Sequence, residues 1–335
     1  MPRPIGDQVV VITGASSGIG REAALAFGRR GASVVLAARN ERALKEVASE
    51  IERLGGRAHV VVTDVSIWEQ VERLAGEAVE RFGRIDAWVN DAAVSIYATV
   101  AEMTIEEIER VLRVNLLGQI HGMKAALSPM RRQNQGTIIN VASALALRAV
   151  PLQSACCASK HGIKGFTEAL RLELEHEGSD VAVTLILPSS MNTPLFTHAR
   201  SKLGVKPQPI PPVYEPRTVA EAIVAVAERP QRTVVVGGAG KAFTILERIS
   251  PALLDRWMLQ GGRAFRQQRT DEPDDGRDNL FATPAGTGST TGEFGQGAQS
   301  VSLYTRLLGL HPNRERALVG AGLVGAIALA RWAGR

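Results

Sequence analysis

The chain has 335 residues, 45% hydrophobic and 22% charged, with a formal net charge of +5. That supplies a large core. It lacks the dense Lys/Arg blocks interleaved with aromatics that a nucleic-acid surface needs, so no nucleic-acid partner is expected. The only cysteines, Cys156 and Cys157, are adjacent, which excludes a disulfide framework and a cysteine-rich metal site and fits a reducing, cytoplasmic compartment.

The stretch Met1–Asp7 is polar and lacks the apolar core of a secretory leader. Val9 to Ile12 is an apolar run of the kind found in strands buried on both faces. After Thr13 it breaks into a loop with glycines at 14, 18 and 20, then resumes as an apolar-periodic helix through Phe27. A strand, a glycine-rich turn and a helix N-terminus make an anion site. Free N–H groups and the positive end of the helix dipole face a phosphate, and glycine is needed where backbone must approach it. The turn Gly14, Ser16, Ser17, Gly18, Ile19, Gly20 therefore reads as a dinucleotide cradle.

Ala32 to Ala38 is a second strand, followed by a helix over about Glu41 to Leu54. Ala58 to Thr63 is a third strand, ending at Asp64-Val65, with a helix from about Ile67 to Phe82. Ile85 to Val89 is a fourth, ending at Asn90-Asp91-Ala92-Ala93. Thr104 caps a helical stretch that runs through Asn115 towards Met130. Gly136 to Val141 is a fifth strand ending at Ser143, and a long helix spans about Ser154 to Glu177. Val181 to Leu187 is a sixth strand, and a proline-rich loop occupies about Pro188 to Pro216. Helix returns at Thr218 to Glu228, before a last strand at Thr233 to Val236. This alternation predicts an α/β fold: a Rossmann-type doubly wound parallel sheet of about seven strands. Ligands on such sheets bind beyond the carboxyl ends of the strands, where Gly14, Asp64, Asn90, Ser143 and Pro188 fall.

The domain is expected to cover residues 1–268. Residues 269–300 are rich in Gly, Thr, Ser and Asp and read as a flexible linker. Residues 301–335 form a C-terminal apolar segment. Its uncharged run, Ala317 to Ala330, has 14 residues, below the roughly 18–20 needed to span a bilayer. Flanking arginines and Trp332 suit peripheral membrane contact through 317–332; the alternative is a helix packed on the domain or on a partner chain.

Taken together, these residues resemble the short-chain dehydrogenase/reductase family over about residues 5–250. Thr13-Gly14-Ala15-Ser16-Ser17-Gly18-Ile19-Gly20 matches its cofactor motif, and Asp64-Val65 matches the pair that contacts adenine. Asn90-Asp91-Ala92-Ala93 is similar to its Asn-Asn-Ala-Gly, with two substitutions. Asn115 stands where the family keeps an asparagine that holds a water relay. Ser143 and Lys160 have the spacing of its catalytic serine and lysine, and Pro188 and Thr193 resemble the loop that closes over the nicotinamide. The resemblance implies hydride transfer between a nicotinamide and a carbonyl or secondary alcohol. It also implies a homodimer or homotetramer, with the helix Ser154 to Glu177 as one contact face. At the end of the second strand, Ala38-Arg39-Asn40 offers no carboxylate for the ribose 2′-hydroxyl of NAD. Arg39 can instead pair with a 2′-phosphate, so NADP(H) is expected over NAD(H).

The position implied for the catalytic tyrosine holds Cys156. A thiol is a weak donor, and its side chain is shorter by a phenyl ring. Losing a general acid costs on the order of 10²–10⁴ in rate. The expectation is an oxidoreductase weakened at this point, or an NADP(H)-binding protein with impaired chemistry. Three outcomes are open at Cys156: a water relaying protons from Lys160, a thiolate whose pKa is depressed by Lys160 and oxidised nicotinamide, or little chemistry at all. Tyr97 and Tyr214 read as ordinary half-buried aromatics, and the histidines show no metal-ligand pattern, so no metal is expected. Leu195, Phe196, Leu203, Val205, Ile210 and Val213 suggest a small apolar carbonyl or alcohol substrate.

Overall fold

The computed structural model describes residues 2–283, 286 and 288–311. Strand and helix alternate through β1 (Val9–Thr13), α1 (Gly18–Gly28), β2 (Ser33–Ala38), α2 (Glu41–Arg53), β3 (Arg57–Val62), α3 (Trp68–Phe82) and β4 (Ala87–Asn90). A two-residue strand β5 (Ile96–Tyr97) precedes α4 (Ile105–Leu112), α5 (Gly118–Gln133), β6 (Gly136–Val141) and α6 (Ser154–His176). Then come β7 (Val181–Pro188), the short β8 (Arg200–Ser201) and β9 (Val205–Pro207), α7 (Arg217–Glu228) and β10 (Thr233–Val236). Three helices, α8 (Gly238–Ile249), α9 (Pro251–Leu259) and α10 (Arg263–Arg266), lead to β11 (Arg269–Pro273).

Seven strands form one sheet in the order β3-β2-β1-β4-β6-β7-β10, and every neighbouring pair is parallel. All five residues of β1 are buried, because helices cover both faces. Val10 and Ile12 pack with α1, α2 and α7. Val9 and Val11 face the opposite layer, built by α3, α5 and α6. Winding reverses between β1 and β4, so a crevice opens beyond their carboxyl ends.

The helical stretch expected to run unbroken from Thr104 is interrupted. α4 starts on a capping box, Thr104 with Glu107, and a π-helical turn at Arg113–Leu117 separates it from α5. The extra residue of that turn places Asn115 inward, where Oδ1 accepts from Val94 N at 2.8 Å and Nδ2 donates to Val94 O at 2.9 Å. The loop after β4 is thereby pinned to the helix.

Composition predicts a linker over 269–300, but the described part of it lies on the domain. β11 pairs antiparallel with β9. Leu280 is fully buried, Asn279 N donates to His198 O at 2.9 Å, and Gln299 N donates to Val213 O at 2.8 Å. Backbone hydrogen bonds and a few apolar anchors do here what a helix would do with a continuous apolar stripe. The proline-rich loop likewise contains β8 and β9. The segment 317–332, read as a membrane contact, lies outside the described residues. No helix among the described residues is long and apolar enough to cross a membrane.

Candidate active site

Two cavities open above the carboxyl ends of the central strands. The smaller is about 120 Å³ and is lined by Ser16, Arg39, Asp64, Val65 and Ala92. The larger, about 300 Å³, takes in Gly14, Ser17, Gly18 and Ile19 from the glycine-rich turn. On its far side stand Asn115, Ser143, Cys156 and Lys160, with Pro188 and Thr193 at the exit of β7. Thus most of the residues singled out in the sequence meet in one crevice.

The glycines build its floor. Gly14 has φ +77°, and a Cβ there would stand 2.8 Å from Ala92 N. A Cβ on Gly20 would fall on the Gly14 carbonyl and 2.9 Å from Asp91 Oδ2. Only glycine lets the turn lie this close to the exit of β4, with the N-terminus of α1 aimed at the crevice. This cradle fits a pyrophosphate.

Asn90 is not part of that surface. It is fully buried. Its Oδ1 accepts from Trp88 Nε1 at 2.8 Å, and its Nδ2 donates to Asn140 Oδ1 at 2.9 Å. The side chain expected on a cofactor instead ties β4 to β6. Val65 offers its carbonyl to His121 Nδ1 at 2.9 Å. Asp64 accepts from Ser66 Oγ at 2.7 Å and Arg110 Nη2 at 2.9 Å.

Cys156 and Lys160 stand one turn apart on α6 and share a face. Lys160 Nζ donates to Val141 O at 3.1 Å. Cys156 Sγ lies 3.3 Å from Ser95 Oγ. Ser143 Oγ accepts from Leu145 N at 3.1 Å, which fixes the hydroxyl at the end of β6.

Burial pushes the Cys156 thiol up, although Ser95, the Ile96 backbone and Lys160 pull the other way. This runs against the depressed thiolate considered from the sequence: desolvation outweighs the nearby cation. Burial pushes Lys160 down, opposed by Asp91 and Cys156. Asp91 is pushed up to about 7 by burial, with Lys160 and the Gly20 N–H opposing.

Three features of the site were not assigned from the sequence. Asp91 stood out only as a substitution in a motif. Tyr97, read as half-buried, is 2% exposed and lines the larger cavity. Arg148 also reaches that cavity, but it is paired with Glu247 at 2.7 Å and with Asp255. Tyr214, the other tyrosine considered, is buried and does not line it. Among the described residues there is no cluster of metal-ligating side chains.

A doubly wound sheet with a glycine cradle at its switch point and a Ser/Lys-lined cavity beside it defines a nucleotide-dependent α/β enzyme class. Residues 8–204 match the family model described as short chain dehydrogenase. An uncharacterized oxidoreductase of Bacillus subtilis, YxnA, is 38% identical over 330 residues, covering 98% of this chain and 90% of the relative. Estradiol 17-beta-dehydrogenase 11 of Rattus norvegicus is 31% identical over 250 residues, 74% of this chain and 82% of that one. Among solved structures, a short-chain dehydrogenase/reductase from Burkholderia phymatum in complex with NAD aligns with TM-score 0.67 and 28% identity, covering 74% of this chain and 95% of its own. An alcohol dehydrogenase from Thermococcus sibiricus complexed with 5-hydroxy-NADP aligns with TM-score 0.61 and 27% identity, covering 68% and 95%. The chain belongs to the short-chain dehydrogenase/reductase family.

Proposed function

We propose that this chain is an NADP(H)-dependent oxidoreductase acting on a small apolar carbonyl or secondary alcohol, and that Cys156, standing for the family's tyrosine, slows its turnover. The observation that carries the reading is the meeting of Ser143, Cys156 and Lys160 in one cavity beside the glycine cradle. A reduced nicotinamide bound beside these residues would supply the hydride. Ser143 Oγ donates a hydrogen bond to the substrate oxygen, and the Lys160 ammonium holds the proton that the oxygen needs. The Cys156 thiol is a weak donor on a short side chain, so proton delivery limits the rate. Leu145, Val150, Leu195, Phe196, Ile210 and Phe243 give the cavity an apolar wall, which favours an apolar substrate.

Arg39 supports NADP(H), since a guanidinium forks onto a 2′-phosphate. A second reading, an NADP(H)-binding protein with impaired chemistry, is favoured by the raised thiol pKa of Cys156. Oxidation of NADPH and NADH over a panel of ketones, aldehydes and quinones, beside direct NADPH binding, tests both. Slow turnover with NADPH, faster than with NADH, is the expected result. Tight binding without turnover on any carbonyl would put the second reading first.

Asp91 gives that site a pH dependence. Its carboxyl titrates at about 7, held up chiefly by burial, and lies beside Gly20 under the phosphate cradle. Below pH 7 it is neutral; above, it is an anion facing an anionic ligand. Dinucleotide affinity should therefore fall as pH rises from 6 to 8, by about 1 kcal/mol or roughly fivefold. Titration calorimetry across that range should show the fall, and Asp91→Asn should flatten it. A flat wild-type profile would rule Asp91 out.

A further inference from the structure

The C-terminal stretch lies across the crevice itself. Ser289 O accepts from Gly18 N at 2.8 Å, taking an N–H at the mouth of α1. Thr290 Oγ1 accepts from Arg21 Nη1 at 3.1 Å on the same helix. At the other cavity, Arg39 Nη2 donates to Asn279 O at 2.7 Å and Nη1 to Phe281 O at 3.3 Å. Backbone carbonyls thus occupy both places where the cofactor reading puts phosphates: the helix N-terminus and the Arg39 guanidinium.

We propose that the described residues among 279–292 act as an intramolecular strap that competes with the dinucleotide for its phosphate donors and must yield for the cofactor to bind. The proposal rests on the cofactor-site reading above. One N–H cannot serve Ser289 O and a phosphate oxygen together. The exchange favours the ligand, because a hydrogen bond to a charged phosphate is stronger than one to a neutral carbonyl. The strap has an apolar anchor towards each end. Leu280 is buried at one end, and the Phe294 ring packs edge-on against Phe196 at 6.0 Å at the other. Among the described residues between these anchors, Ser289, Thr290 and Gly292 are held by polar contacts, so they can leave while the ends stay, and Arg39 need only turn from the Asn279 and Phe281 carbonyls.

Glycine makes the strapped state possible. A Cβ on Gly288 would collide with Ser16 O, and one on Gly292 would stand 2.5 Å from Thr193 O. Adding a methyl group at either place disfavours the strapped state while leaving the residues of the cradle themselves unchanged. A ligand whose competent state is only partly populated binds more weakly by that fraction. Releasing one or two net hydrogen bonds should therefore tighten NADPH binding by about five- to tenfold.

The test uses the full chain, Gly288→Ala, and a milder variant, Thr290→Val, which removes only the Arg21 contact. NADPH and NADH affinities are measured by titration calorimetry, with thermal melts to establish folding. Hydrogen exchange follows the Gly292 amide, which donates to Asn192 O at 3.2 Å. Tighter NADPH binding in both variants, with Gly292 losing protection when NADPH is added to the wild type, is expected. Unchanged affinities in folded variants, or gained protection at Gly292, would overturn the strap while leaving the cofactor site intact. Absence of NADPH and NADH binding in wild type and variants alike would overturn the cofactor reading, and the strap with it.

Discussion

Cys156→Tyr should raise NADPH-dependent carbonyl reduction by on the order of 10²–10⁴. The groups a tyrosine would work with are already placed. Lys160 follows one turn later on α6, its Nζ held by Val141 O at 3.1 Å. Ser143 is fixed at the end of β6 by Leu145 N. Cys156 borders a cavity of about 300 Å³ that offers room for a larger side chain, although it also packs in the layer with Val94 and Ile96. The tyrosine hydroxyl would come under the influence of the Lys160 ammonium, which favours the ionised phenol and so lowers its pKa. Cys156→Ala is the control. If the thiol is inert, as its raised pKa indicates, alanine leaves the rate within a few-fold. Steady-state rates for the three proteins, with melts to confirm folding, decide the matter. A tyrosine variant no faster than wild type would mean that the proton arrives by another route. Tyr97 is then the first residue to replace, because it lines the same cavity and burial keeps its hydroxyl protonated.

Much of this site was legible because its chemistry is local. The cradle from Gly14 to Gly20 is one strand–turn–helix unit, and its glycines answer close approaches that any such turn must make. Ser143, Cys156 and Lys160 sit at a strand end and on one helix face, so the family resemblance, matched on their spacing, brought them together. What stayed hidden depends on contacts between distant segments. Asn90 looks like a ligand residue at a strand end, yet Trp88 and Asn140 consume its side chain. The π-turn that aims Asn115 at Val94 leaves no trace in the apolar period. The strap was least legible, because periodicity reports burial on a regular element. A chain held by carbonyls on Gly18 and Arg39, with Leu280 as a buried anchor, has no period to read.

Lys160→Met should abolish most of the activity and make stability depend on pH in a new way. The catalytic loss, on the order of 10²–10⁴, follows from removing the buried group proposed above to hold the proton. The stability effect runs through Asp91. Its carboxyl titrates at about 7 in the fold against an ordinary 3.8, so the native state holds a proton that the unfolded chain releases. Stability therefore falls as pH rises from about 4 to about 7, and levels off above the folded pKa. Lys160, together with the Gly20 N–H, keeps that pKa from going higher. Without it the carboxyl has no nearby cation, its pKa climbs, and the decline in stability continues past pH 7. The Val141 carbonyl loses the Lys160 donor but keeps the one from Gln119 Nε2 at 2.9 Å, so this loss costs only about 1 kcal/mol, the net worth of one hydrogen bond. The burial penalty of the ammonium itself disappears with the side chain. The lost hydrogen bond shifts the curve as a whole, whereas the ammonium penalty fades as pH rises through the lowered Lys160 pKa, so the diagnostic is the part of the slope that depends on Asp91. Melting temperatures of the variant relative to wild type should be closest near pH 5–6 and diverge by pH 8. Adding Asp91→Asn should remove the divergence. A difference that is constant from pH 5 to 8 would show that Lys160 and Asp91 do not act as a pair.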